Sequence, residues 1–168
     1  MLFAVDTNPL IDWAHGHDDI PDCFELIKRR IPGVSILVPP TVIQELGYFA
    51  GTNAKNLGKT ALRTLELIRD EPLLRPVNLV PVGHGIVEIN ALRIRQAHLL
   101  PEEEINDSMI LAEAGLLDCE VLLSSDSHLT GIDSSRLAEV MRRFDGSVPL
   151  IRSPRQILKQ FGSSRRGR

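Results

Sequence analysis

The chain has 168 residues, 43% apolar and 24% charged, with a formal net charge of −3. That length suits one domain with a core of its own, and the composition excludes a disordered or fibrous protein. The charge is uneven: residues 1–133 hold 20 acids and 10 bases, whereas residues 134–168 hold 2 acids and 9 bases. The C-terminal part therefore suits a polyanion while acids gather elsewhere.

Leu2–Val5 reads as the first strand, and no basic leader precedes Asp6, so no signal peptide is expected. Pro9–Ala14 reads as a helix with Asn8 as its cap and proline at its first position. Asp22–Arg30 is the next helix, closing on three bases before Pro32-Gly33. Ser35–Val38 is the second strand, and Thr41–Ala50 follows its double proline as a helix. Asn56–Arg69 places Leu57, Ala61, Leu62, Leu65 and Ile68 on one helical face. Asn78–Val82 is expected as the third strand, followed by helices Ile86–Gln96 and Glu104–Leu117. Strand Glu120–Ser124, helix Ser134–Phe144, strand Ser147–Ile151 and helix Pro154–Phe161 complete the order.

These strands are short apolar runs without alternation, which fits a sheet covered on both faces. Strands separated by helices imply parallel pairing and right-handed crossovers. The expectation is an α/β fold, a three-layer α/β/α sandwich around a roughly five-stranded, mainly parallel sheet. Residues 1–161 would form one domain and residues 162–168 a basic tail. No apolar run reaches the roughly 20 residues of a membrane span. Cys23 and Cys119 form no CxxC pair, and reduced thiols in a cytoplasmic protein are expected.

Four acids stand out. Asp6 follows the first strand and Asp126 the fourth, at the edge where open α/β sheets bind ligands. Glu45 shares a helical stripe with Val42 and Phe49, and Asp107 shares one with Ile110, Leu111 and Ala114. A carboxylate on an apolar stripe faces protein, and a buried charge needs a partner. Two carboxylates about 4 Å apart repel by roughly 4 kcal/mol at an effective dielectric near 20. If the four converge, a divalent cation is the economical partner, and oxygen-only ligands favour Mg²⁺ or Mn²⁺. Two such ions could clamp the attacking and leaving oxygens of a phosphodiester displacement.

Val5-Asp6-Thr7-Asn8, Val42-Ile43-Gln44-Glu45-Leu46, Asn106-Asp107-Ser108-Met109-Ile110-Leu111-Ala112-Glu113-Ala114 and Leu123-Ser124-Ser125-Asp126-Ser127-His128-Leu129 together resemble the successive motifs of PIN-domain ribonucleases. The resemblance runs over roughly residues 1–150 in the right order. It implies a parallel sheet with the acids in a cleft, one or two Mg²⁺ or Mn²⁺ ions, and RNA cleavage by an activated water. Asp6, Glu45, Asp107 and Asp126 would be the metal-binding acids. Asn8 matches the polar residue that supports the first acid, and Ser124 the hydroxyl position two before the last. Many bacterial and archaeal members are toxins paired with an antitoxin, which implies a partner able to place a basic side chain among the acids. The stretch from Gly51 to Pro101 is longer than in compact toxin members.

Aromatic residues are 4% of the chain, too few for a base-stacking platform. RNA would be held through its phosphates, with Arg136, Arg142 and Arg143 as candidate contacts. The amphipathic helices of 53–100 offer surplus apolar surface for a homodimer. Two other functions remain open on the sequence: a metal-dependent phosphohydrolase on a similar fold, and a non-catalytic RNA- or protein-binding module. The phosphohydrolase wants a second Asp two residues after the first, where this chain has Asn8.

Overall fold

A computed structural model describes residues 1–52, 55–143 and 146–162. Five strands form one sheet: β1 (Leu2–Val5), β2 (Ser35–Val38), β3 (Leu74–Pro76), β4 (Val121–Leu123) and β5 (Leu150–Arg152). They run in the order β3-β2-β1-β4-β5, and every pairing is parallel. The order reverses at β1 and β4, so a crevice opens at their carboxyl ends.

Helices α1 (Thr7–Ala14) and α2 (Asp19–Arg30) connect β1 to β2, and α3 (Pro40–Gly51) and α4 (Lys55–Asp70) connect β2 to β3. Helices α5 (Pro81–Gln96) and α6 (Ile105–Leu116) lead back to β4. The one-turn α7 (Ser127–Thr130) and α8 (Ser134–Met141) precede β5, and α9 (Pro154–Gly162) follows it. Right-handed crossovers place the connections on either side of the reversal on opposite faces of the sheet, which is the expected layering. Phe3, Ala4, Val5, Ile36, Leu37, Val38, Leu122 and Leu123 are all buried, consecutive residues alike, because both faces are covered.

The third strand lies earlier than Asn78–Val82. It is Leu74–Pro76, paired in register with Ile36–Val38 of β2. A proline is tolerated there because β3 is an edge strand. Val80 and Val82 are 66% and 70% exposed, and Pro81 opens α5 as a first-turn proline, five residues before the expected start. The cap of α1 is also corrected: Asp6, not Asn8, accepts from the Thr7 amide. Gly16, just past the end of α1, takes φ +87°, the left-handed conformation that glycine adopts without strain. Helix α8 ends at Met141; Phe144, where the expected helix stops, lies outside the described residues. Gly162, expected in the tail, ends α9, and Ser163–Arg168 lie outside the described residues.

Near its C-terminus α6 approaches the chain that enters β5. A Cβ on Gly115 would stand 2.5 Å from the Met141 methyl and 3.0 Å from the Ser147 carbonyl oxygen. The methionine can swing aside; the backbone must shift. Gly115→Ala is expected to lower stability by about 1–3 kcal/mol, the range for overpacking. In urea the midpoint should fall with the slope unchanged; a midpoint at or above that of the parent would show that the approach has slack.

Candidate active site

Asp6 ends β1 at the reversal. Its amide donates to the Leu123 carbonyl of β4 at 2.9 Å, so the two central strands stay zipped up to the acid. The carboxylate is almost wholly buried, at 1% exposure. One oxygen accepts from the Thr7 amide at 2.6 Å and the other from the Ser124 hydroxyl at 2.7 Å. Burial pushes this carboxyl up to about 7, helped by the charges of Asp107 and Glu45 and opposed by the Ser124 and Thr7 hydrogen bonds.

Ser124 joins the acids of the two strand ends. Fully buried, its hydroxyl donates to Asp6 and accepts from the Asp126 amide at 3.0 Å. Asp126 caps α7, accepting from the amides of His128 at 2.6 Å and Leu129 at 3.4 Å. Its second oxygen accepts from the Asn8 amide group at 3.4 Å. The two supporting residues picked from sequence, Asn8 and Ser124, therefore each touch a strand-end acid.

Helices bring the other two. Glu45 on α3 accepts from the Thr7 hydroxyl at 2.5 Å and from Asn106 Nδ2 at 2.9 Å. Asp107, in the first turn of α6, is half-buried, and its Oδ2 is buried with no hydrogen-bond partner. Desolvation raises its pKa to about 6, with Asp126, Glu104 and Glu45 adding to the rise and His128 opposing it. The four acids are thus linked through Asp107, which feels Glu45 and Asp126 and acts on Asp6, at one edge of the sheet. Glu104, at the N-cap position of α6 but without a capping side-chain bond, pairs with His128 Nδ1 at 3.0 Å on the rim.

None of the ion pairs among the described residues involves these four acids. Neutral hydroxyls and amides hold three of them, and the fourth keeps a bare oxygen. Among the described residues no three carboxylates, imidazoles or thiols already stand as a closed metal cage. The donor set nonetheless fits a hard divalent cation: oxygen ligands only, raised pKa values, and one desolvated oxygen without a proton donor.

The arginines picked from sequence lie on and just after α8. Arg136 donates to the Ala97 carbonyl at 3.1 Å, and Arg143 pairs with Glu139 at 3.5 Å. Arg143 also lines an open cavity of about 440 Å³ with Arg93 and Gln96 of α5. Arg142 is the exposed C-cap of α8. Asp133 serves as the cap of α8.

Three participants escaped the sequence reading. Thr7 and Asn106 hold Glu45, and Glu113, 1% exposed on α6, accepts from the Thr41 amide and hydroxyl. Burial raises the Glu113 carboxyl to about 7, against the Thr41 hydrogen bonds. Glu113 shares a helical stripe with Met109, Ile110, Leu116 and Leu117, the setting that singled out Asp107.

Asp6 holds its proton more tightly in the folded chain, about 7 against the ordinary 3.8. Its contribution to stability is therefore complete below the unfolded value and falls away as the pH rises toward 7. Asp6→Asn removes that loss; its one carbonyl oxygen can still accept from Thr7, while its NH2 would turn the Ser124 hydroxyl into an acceptor. In metal-free buffer the melting temperature of Asp6→Asn relative to the parent should climb between pH 4 and 7 and then level off. A difference that stays flat would mean that Asp6 is better solvated than its burial indicates.

Comparison with known proteins bears on the same residues. The PIN domain family model matches residues 3–134. No curated protein matches. The crystal structure of VapBC2 from Rickettsia felis, bound to a DNA fragment from their promoter, is similar with a TM-score of 0.60 at 14% identity, covering 91% of this chain and 98% of that one. VapBC-1 from nontypeable Haemophilus influenzae is similar with a TM-score of 0.55 at 16% identity, covering 92% and 99%. These two likenesses concern the fold. The family match spans β1 to the start of α8 and takes in all four acids; the chain belongs to the PIN domain family.

Proposed function

We propose that this protein is a Mg²⁺- or Mn²⁺-dependent endoribonuclease, acting as the toxin of a toxin–antitoxin pair, with residues 1–161 as its nuclease domain. PIN domains are nucleases and generally use divalent metal ions. The observation that carries the reading is the bare, buried Oδ2 of Asp107 within the field of three further carboxylates. Desolvating a carboxylate oxygen without a partner costs stability unless a cation completes it.

Asp6, Glu45, Asp107 and Asp126 would hold one or two ions. Bound there, the metal supplies Lewis-acid activation of a water and neutralises charge on the phosphate undergoing displacement. The chain's own residues set the stage. Ser124 and the α1 amide end lock Asp6, Thr7 and Asn106 aim Glu45, and Asn8 steadies Asp126. No side-chain nucleophile is needed. Asn8 donates to Asp126 and is not a carboxylate, so the acid pair of the phosphohydrolase reading is missing. The complete acid set disfavours a non-catalytic module.

Arg136, Arg142 and Arg143 are proposed to hold RNA phosphates on the flank of α8. The toxin role rests on the family resemblance and on likeness to two VapBC structures. The partner would be an antitoxin that sets a cationic side chain among the acids. Val82, Ile86, Ile89 and Leu92 on α5 and Leu62 on α4 are exposed apolar residues. We assign α5, with its Val82, Ile86 and Ile89 stripe, to a homodimer contact. Cys23 and Cys119 are free, buried and pushed up to about 12 by burial, which suits a cytoplasmic protein. Among the described residues no helix is long and apolar enough to cross a membrane.

Purified wild-type protein should cleave single-stranded RNA with Mn²⁺ and stop on chelation. Asp107→Asn should lower the rate by about a hundredfold or more, the scale of losing one charge-stabilising group. Full metal-dependent cleavage by that variant would end the reading. In sedimentation the parent should dimerise and Ile89→Glu should shift it to monomer. A parent that stays monomeric at every concentration removes the dimer.

A further inference from the structure

Helix α3 begins without a side-chain cap of its own. Pro39 stands at the cap position, and Pro40 has no amide hydrogen to satisfy. The first amide needing a partner is that of Thr41, which no carbonyl of its own helix can reach. It is met from another helix: both Glu113 oxygens lie 3.2 Å from the Thr41 nitrogen, and Oε1 also accepts the Thr41 hydroxyl at 2.8 Å. The contact is buried on both sides.

Thr41 and Glu45 are four residues apart on α3 and share a face. Asn106 and Glu113 are seven apart on α6 and share a face likewise. Two rungs therefore join the helices: Glu113 to Thr41 in the interior, and Asn106 to Glu45 at the site. We propose that Glu113 is a positioning residue, which through Thr41 sets the rotation and depth of α3 so that Glu45 meets Asp107. The proposal rests on the metal-nuclease reading of those two acids.

Apolar packing between α3 and α6 is non-directional and tolerates rotation of one helix on the other. Two donors on one carboxylate, an N–H shared between both oxygens and an O–H, do not, because each has a preferred line of approach. A buried carboxylate is also a costly way to fill a helix interface that an apolar residue would fill better. Its placement one turn ahead of Glu45 gives that cost a return at the site. Glu113 touches neither substrate nor the proposed ion, so its effect must pass through Glu45.

The test uses calorimetric Mn²⁺ binding together with steady-state RNA cleavage. Thr41→Val removes the hydroxyl rung and keeps the shape; Thr41→Ser keeps the hydroxyl. Thr41→Val should weaken Mn²⁺ binding and lower kcat by roughly tenfold each, the lower end of what outer-shell partners of a metal contribute. KM for RNA should not move, and Thr41→Ser should behave as the parent. Glu113→Gln, which keeps the volume, carries the same expectation if Thr41→Val does not fold. A lowered melting temperature with Mn²⁺ affinity and kcat unchanged in both variants overturns the proposal and leaves the nuclease reading standing. A parent that neither binds Mn²⁺ nor cuts RNA overturns both.

Discussion

The burial of carboxylates at one edge of the sheet, beside the carboxyl ends of β1 and β4, is the constraint on which the site depends. The reversal of strand order puts Asp6 and Asp126 at neighbouring strand ends, and α3 and α6 deliver Glu45 and Asp107 to the same edge. Water would ordinarily separate such charges, yet Asp6 is almost fully enclosed. The result is visible in protons: burial first, and neighbouring carboxylates second, pull Asp6 and Asp107 toward neutral pH, Asp6 through Asp107 and Glu45 and Asp107 through Asp126, Glu104 and Glu45. The buried faces of the sheet and the helices packed on them must supply the free energy that holds this edge together.

That requirement explains where rigidity is concentrated. The strand-end acid Asp6 is fixed by the α1 amide end and by a serine that also holds the next acid. The helix-borne Glu45 is fixed by a threonine from the first strand–helix turn and an asparagine from α6. Three of the four acids are thus tied to an element other than their own, and Asp107 is the exception. The site is a joint between β1, β4, α3 and α6, and a shift in any one of them reaches all the acids.

Much of this was legible in the sequence, for identifiable reasons. Leu2–Val5 and Ser35–Val38 are central strands covered on both faces, and an unbroken apolar run is the pattern that such burial demands. Leu74–Pro76 is an edge strand with two of its three residues exposed, so no hydrophobic pattern marks it, and the Val-rich run after it drew the assignment instead. Asp107 and Glu45 showed themselves as acids on apolar stripes. Glu113 obeys the same rule and could have been found by it. Thr7 and Asn106 could not, because they reach Glu45 across 38 and 61 positions of sequence, beyond any local period.

The choice of partners supports the proposed use of the site. A buried acid meant only for structure is most simply matched by arginine or lysine, which cancels its charge and fills its lone pairs. Here the partners are Thr7, Asn8, Asn106, Ser124 and backbone amides, all neutral. They orient carboxylate oxygens and lower the penalty of ionisation without removing the negative field. Asp107 goes further and keeps one desolvated oxygen unmatched. A cluster built this way is held in shape and left electrostatically incomplete, and a cation is the species that completes it. On the proposed reading, an antitoxin cation among the acids would answer the same deficit, so one feature would serve both metal binding and inhibition.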